Sequence, residues 1–155
     1  MSNNFLILGI GNTIRGDDGI GIAIARALKE KLKTESVAIK ETSEVGLNLL
    51  DLMNGFQRVI IIDSIHLGRD KPGTIYDFDS TGFVAQSSHH STHKLGLPTV
   101  LQMAIDLELE MPDDINIIAV EVGEIDNFSE EISPDIQKTI PLVLNMIETK
   151  LNKGV

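Results

Sequence analysis

Residues 5–22, FLILGIGNTIRGDDGIGI, constrain the fold more than any other stretch of this chain. The first six are almost wholly apolar, as in a strand buried on both faces of a parallel sheet. Gly9 and Gly11 then allow a sharp turn or a close backbone approach. Asp17 and Asp18 follow, and from Ile20 the apolar residues recur at helical spacing through Ile24, Ala27 and Leu28. The stretch therefore reads as strand, glycine turn, two carboxylates, helix.

Two phosphate-binding readings fail here. A dinucleotide fingerprint needs G-x-G-x-x-G, and Ile14 stands where its last glycine belongs. A P-loop needs Lys and a hydroxyl after its second glycine, and Asp17 and Asp18 stand there instead. Paired carboxylates repel a phosphate and suit a cation.

Further along, residues 36–40 read as a second strand and a helix opens near Ser43 or Glu44 and ends at Asn54-Gly55. Residues 58–63, RVIIID, are a second clearly buried strand: four β-branched residues and then an acid. Lys71-Pro72-Gly73 is a turn, and residues 74–78 alternate weakly, as an edge strand does. Residues 79–94 are polar, rich in Ser and His, and read as a loop. Residues 95–107 read as a helix with Pro98 in its first turn, 115–122 as the last strand, 123–133 as an acidic loop, and 134–151 as a C-terminal helix that Pro141 kinks. Strands alternating with helices predict a three-layer α/β/α fold with a twisted, mostly parallel five-stranded sheet. At 155 residues one domain over 1–155 is expected.

In such folds chemistry gathers at the carboxyl ends of the strands, where strand order reverses. Asp18 lies just past the first strand, Asp63 ends the third, and SSHHSTH at 87–93 precedes the third helix. Two carboxylates and an imidazole meeting there suit a divalent transition metal with open coordination positions. Taken singly, each has a plainer reading. Asp17 or Asp18 reads as a helix cap, and Asp63 can simply bond backbone in a turn. Most of His66, His89, His90 and His93 read as solvated, as do Glu41, Glu44, Glu121 and Glu124. Arg15 reads as a partner of Asp17 or Asp18.

Composition excludes several classes. The absence of Cys removes disulfides, iron–sulfur clusters and a thiol nucleophile. A net charge of −10 disfavours nucleic acid and anionic membranes as partners, but not a metal cation or a basic peptide. The N-terminus lacks the basic start of a secretory signal, and its apolar run is too short to span a membrane, so a soluble cytoplasmic protein is expected.

Three segments together, LGIGNTIRGDDGIG (8–21), VIIIDSI (59–65) and STHKLGLPTVL (91–101), resemble the hydrogenase maturation endopeptidases, which trim nickel–iron hydrogenase large subunits. Their order and spacing hold over nearly the whole chain. The resemblance implies that Asp18, Asp63 and His93 bind nickel, presented by the large-subunit precursor, and serve the cleavage of one peptide bond near its C-terminus. With no Cys and no Ser in a G-x-S-x-G elbow, the nucleophile is water, activated by the metal or by a carboxylate acting as general base. Asp17 is then a candidate for supporting or substrate contact, and the backbone N–H groups of residues 19–21 for an oxyanion. A non-catalytic nickel-binding chaperone on the same scaffold is the alternative. A nucleoside- or phosphate-handling enzyme is a third reading, disfavoured by the paired acids.

Overall fold

The computed structural model describes residues 4–33, 35–87 and 96–153. Five strands form one sheet: β1 (Phe5–Ile10), β2 (Val37–Thr42), β3 (Arg58–Ile65), β4 (Ile75–Asp79) and β5 (Asp114–Glu121). Their order is β2-β1-β3-β5-β4, all parallel except β4, which pairs antiparallel with β5 at the edge. The helices are α1 (Ile20–Lys31), α2 (Asn48–Met53), α3 (Ser80–Ser87), α4 (Leu97–Asp106), α5 (Pro134–Gln137) and α6 (Thr139–Lys153). The expected mostly parallel five-stranded sheet is therefore present, with helices on both faces.

The period-2 geometry of the strands sorts the core into two layers. Leu6, Leu8, Val59, Ile61, Ile115 and Ile117 face α2 and α4. Ile7, Ile60, Ile62, Ile118 and Val120 face α1 and α6. Burial on both faces explains why the first and third strands are continuous apolar runs rather than alternating ones. Two glycines let α1 sit directly on the sheet. A Cβ on Gly9 would lie 2.5 Å from the Gly21 carbonyl oxygen and 2.7 Å from Ala25 Cβ, and one on Gly21 would collide with the carbonyls of Ile10 and Ile62.

Boundaries differ from expectation for identifiable reasons. A 3-10 turn at Gly16–Gly19 carries both acids ahead of α1. β3 runs two residues past Asp63, held by its register with β5 through Ile65 opposite Glu121. The stretch 79–94 is not all loop. Its first part is α3, and the Gly82 N–H donates to Asp79 Oδ1 at 2.6 Å, as at an N-cap. Phe83 fixes that helix by packing on Phe78, ring centroids 5.9 Å apart. The polar composition hid a short helix held by one cap and one aromatic. The C-terminal helix breaks at Lys138, not at Pro141, which falls in the first turn of α6, where no helical N–H is missed. Gly55, with φ of +90°, ends the α2 turn as expected. Among the described residues no helix is long and apolar enough to cross a membrane.

Candidate active site

β1 lies between β2 on one side and β3 on the other, so the order of strands reverses at the β1/β3 boundary. The β1–β3 register sets Gly9 beside Ile62. Extended by one residue, it brings Asp63 level with the end of β1, where the turn carrying Asp18 begins. Gly11 makes that turn possible: a Cβ there would collide with the Asp18 carbonyl oxygen. The strand switch and one glycine thus bring two acids from distant sequence together at the carboxyl edge of the sheet.

The pair is braced by groups that the sequence analysis did not single out. Ser64 joins the two acids. Its N–H donates to Asp63 Oδ1 at 2.8 Å and its hydroxyl donates to Asp18 Oδ1 at 2.7 Å. The Asn12 N–H donates to Asp18 Oδ2 at 3.1 Å, and Asn12 Oδ1 accepts from the Ile14 N–H at 3.1 Å. The turn bond expected of Asp63 is real, but it occupies one oxygen only. No described hydrogen bond reaches Asp63 Oδ2. Burial lifts the Asp63 pKa well above the usual aspartate value, and the negative charge of Asp18 lifts it further, while the Ser64 N–H opposes the rise. The pair is thus two acids in mutual repulsion, with one oxygen that no described residue bonds.

Other sequence candidates take different places. Asp17 is not turned to the crevice. Its two oxygens accept the Ser133 N–H at 2.7 Å and the Ser133 hydroxyl at 2.9 Å. Arg15 does not pair with either acid, and donates to the Ile125 carbonyl at 3.4 Å. Gly19, Ile20 and Gly21 are buried, and the Ile20 N–H is bonded to the Asp17 carbonyl, so the start of α1 is packed rather than open. Glu41 is held by Arg26 in a two-pronged pair at 2.7 and 3.1 Å. His66, half-exposed, places Nδ1 2.8 Å from the Val122 carbonyl oxygen. His89, His90 and His93 lie outside the described residues.

Glu121 corrects the solvated reading given to it. Only 1% exposed, it accepts the Leu67 N–H at 3.0 Å and the Tyr76 hydroxyl at 2.9 Å. Its carboxylate pins the turn that leaves β3 just beyond Asp63. An acid ending the last strand, opposite the end of β3, was the available sign of this role. Among the described residues no group of three or more His, Asp or Glu could hold a metal ion. Asp18 and Asp63 are a pair of carboxylates brought together through Ser64.

Comparison with known proteins gives one consistent answer. A family model described as hydrogenase maturation protease (HycI) matches residues 22–150. The hydrogenase 2 maturation protease of Escherichia coli is 31% identical over 150 residues, spanning 96% of this chain and 86% of that protein. The crystal structure of the nickel–iron hydrogenase maturation protease HycI from Thermococcus kodakarensis superposes with a TM-score of 0.74 at 28% identity, over 94% of this chain and 90% of that one. The hydrogenase maturating endopeptidase HybD from E. coli shares the fold with a TM-score of 0.81 at 24% identity, over 97% and 93% of the two chains.

Proposed function

Since this chain belongs to the hydrogenase maturation protease family and is an endopeptidase, we propose that it removes the C-terminal peptide of a nickel-loaded large-subunit precursor at a site made by Asp18, Asp63 and His93. The observation that carries the reading is the braced acid pair: Asp18 and Asp63 meet at the strand switch, linked through Ser64.

The family's metal dependence and its large-subunit substrate supply the coarse frame, and nickel is the finer step. In this reading the metal is part of the substrate, held by the precursor and recognised by the two carboxylates. Support for His93 comes from topology. Ile61 faces α4, and alternation along β3 puts Asp63 on that same face. The residues after α4 lead to the amino end of β5, so the start of α4 is at the carboxyl edge. In sequence His93 precedes Gly96, the N-cap of α4, by three residues.

The protein's part in the chemistry is to orient and to move one proton. Ser64 and Asn12 fix Asp18, leaving it little freedom to reorient. Asp63 Oδ2 faces no described donor, and it is the oxygen available to take a proton from the attacking water. The proton then passes to the nitrogen of the departing peptide as the C–N bond breaks. Bound nickel supplies Lewis acidity toward the scissile carbonyl. We place this reaction in the cytoplasm.

Incubation with the nickel-loaded precursor, read by mass spectrometry, is expected to release a short C-terminal peptide. Asp63→Asn and His93→Ala should each lower the rate by about a hundredfold or more, with the circular dichroism of the wild type. Tight binding of the precursor without release of any peptide would instead establish the metal-chaperone reading.

A further inference from the structure

We propose that the rim built from Ile14 and the 123–133 loop is the surface on which the precursor docks, gripping a basic stretch with an apolar side chain beside the scissile bond. The inference rests on the protease reading and deepens it by naming the face that holds the substrate.

Phe128 is 81% exposed, and Ile14 49%. On a loose loop such exposure is ordinary, but this loop is fixed. The Gly16 N–H donates to the Ser129 carbonyl at 2.6 Å, and the Ser129 N–H donates to the Ile14 carbonyl at 2.8 Å. Arg15 bonds the Ile125 carbonyl, and Asp17 holds Ser133 with both oxygens. Phe128, next to Ser129, is therefore presented to solvent by a backbone tied on both sides of it. An apolar group held out in this way marks an interaction surface.

Beside it runs an open groove of about 580 Å³ lined by Ile132, Pro134 and Ile140, with Glu130 and Glu131 on its walls. Glu124, Asp126, Glu130 and Glu131 are exposed, none has an ion-pair partner among the described residues, and 123–133 contains no Lys or Arg. Like charges fixed along an apolar groove favour a cationic, apolar-bearing occupant, whose arrival also relieves their repulsion. The groove adjoins the turn that carries Asp18: Pro134 in its wall follows Ser133, which both oxygens of Asp17 hold. Its wall hangs from Asp17, and the next residue is Asp18.

The test uses the whole protein and the nickel-loaded precursor. Phe128→Ala and the charge-reversing pair Glu130→Lys/Glu131→Lys are each expected to raise KM and the precursor Kd about tenfold or more, with a smaller effect on kcat. Phe128→Leu should restore most of the loss. The charge-reversed protein should lose much of the salt dependence that the wild type shows. A photo-crosslinking side chain at position 128 should couple to precursor sequence flanking the cleavage point. Unchanged KM, Kd and salt dependence in these variants, or a crosslink far from the cut, overturns the docking proposal while leaving the protease reading intact. Binding that needs Phe128 but leads to no cleavage by the wild type overturns the protease reading and keeps the docking surface. All side chains changed are exposed, so the fold is expected to survive, and a melting curve checks it.

Discussion

Asp63 is a residue held against its own preference. Its folded-state pKa lies above that of an unfolded aspartate, through burial and the charge of Asp18. Below the ordinary aspartate pKa both states carry the proton, and Asp63 costs the fold nothing. As pH rises the unfolded chain releases that proton first, so the native state binds more protons and stability falls until the folded Asp63 ionises too. Asp63→Asn keeps an acceptor for the Ser64 N–H and removes the charge. The metal-free variant should therefore melt at a higher temperature than the wild type at neutral pH, with the gap closing as pH falls toward the ordinary aspartate range. A lower melting temperature at neutral pH would contradict the electrostatic account. Ser64→Ala makes a companion prediction. It removes a hydroxyl bonded to Asp18, an interaction with a charged group worth about 1.5–3 kcal/mol. Cleavage should fall by about tenfold or more while binding of the precursor changes less. The acids themselves were legible in the sequence, because an acid after a buried strand is a visible pattern. Ser64 and Asn12 were not, since a hydroxyl and a backbone N–H acquire their role only when two distant turns meet.

At the level of elements, the seating of α1 on β1 and β3 depends on glycine. Gly21→Ala drives a methyl into the carbonyls of Ile10 and Ile62, which are sheet backbone and cannot rotate away. A loss of about 3 kcal/mol or more is expected from this overpacking, read as a shift of the denaturant midpoint without change in slope. Because Gly21 lies in the first turn of the helix that follows Asp18, the variant should also lose activity. By contrast, Asp79→Ala removes only the cap of α3 and should cost about 1 kcal/mol. The parallel strands and the long helices were readable because their apolar periodicity is strong. α3 was not, because its stability comes from a side-chain cap and from Phe83 packing on Phe78, neither of which has a period. The break at Lys138 was hidden for a related reason. A proline in sequence draws the eye to Pro141, whereas the hydroxyl of Thr139 bonding the Ile136 carbonyl marks where the chain turns.

Across the whole molecule, the crevice is assembled from three connections leaving the carboxyl edge of one sheet. The turn after β1 brings Asp18, the end of β3 brings Asp63, and the loop after β5 folds back to clamp the first of these. Asp17 is the fastening of that clamp, through two bonds to Ser133. Asp17→Ala should loosen the 123–133 loop without unfolding the sheet. Hydrogen exchange is expected to quicken for amides near Ser129 and Ser133 while the amides of β1, β3 and β5 keep their protection. Equal loosening of both would mean that the loop is part of the cooperative core. Glu121 performs a similar service on the other side, where its buried carboxylate holds the turn after β3.

The order of apolar runs, glycines and acids was sufficient to specify a mostly parallel sheet, its sandwiching helices and the meeting of acids after the first and third strands, because those features follow from local periodicity and from where strand order reverses. Which acid faces the crevice and which fastens a loop was decided only in three dimensions. Asp17 and Asp18 are neighbours of the same type, and no local property separates them. They part because Ser133 and Ser64, each far away in sequence, meet one and not the other.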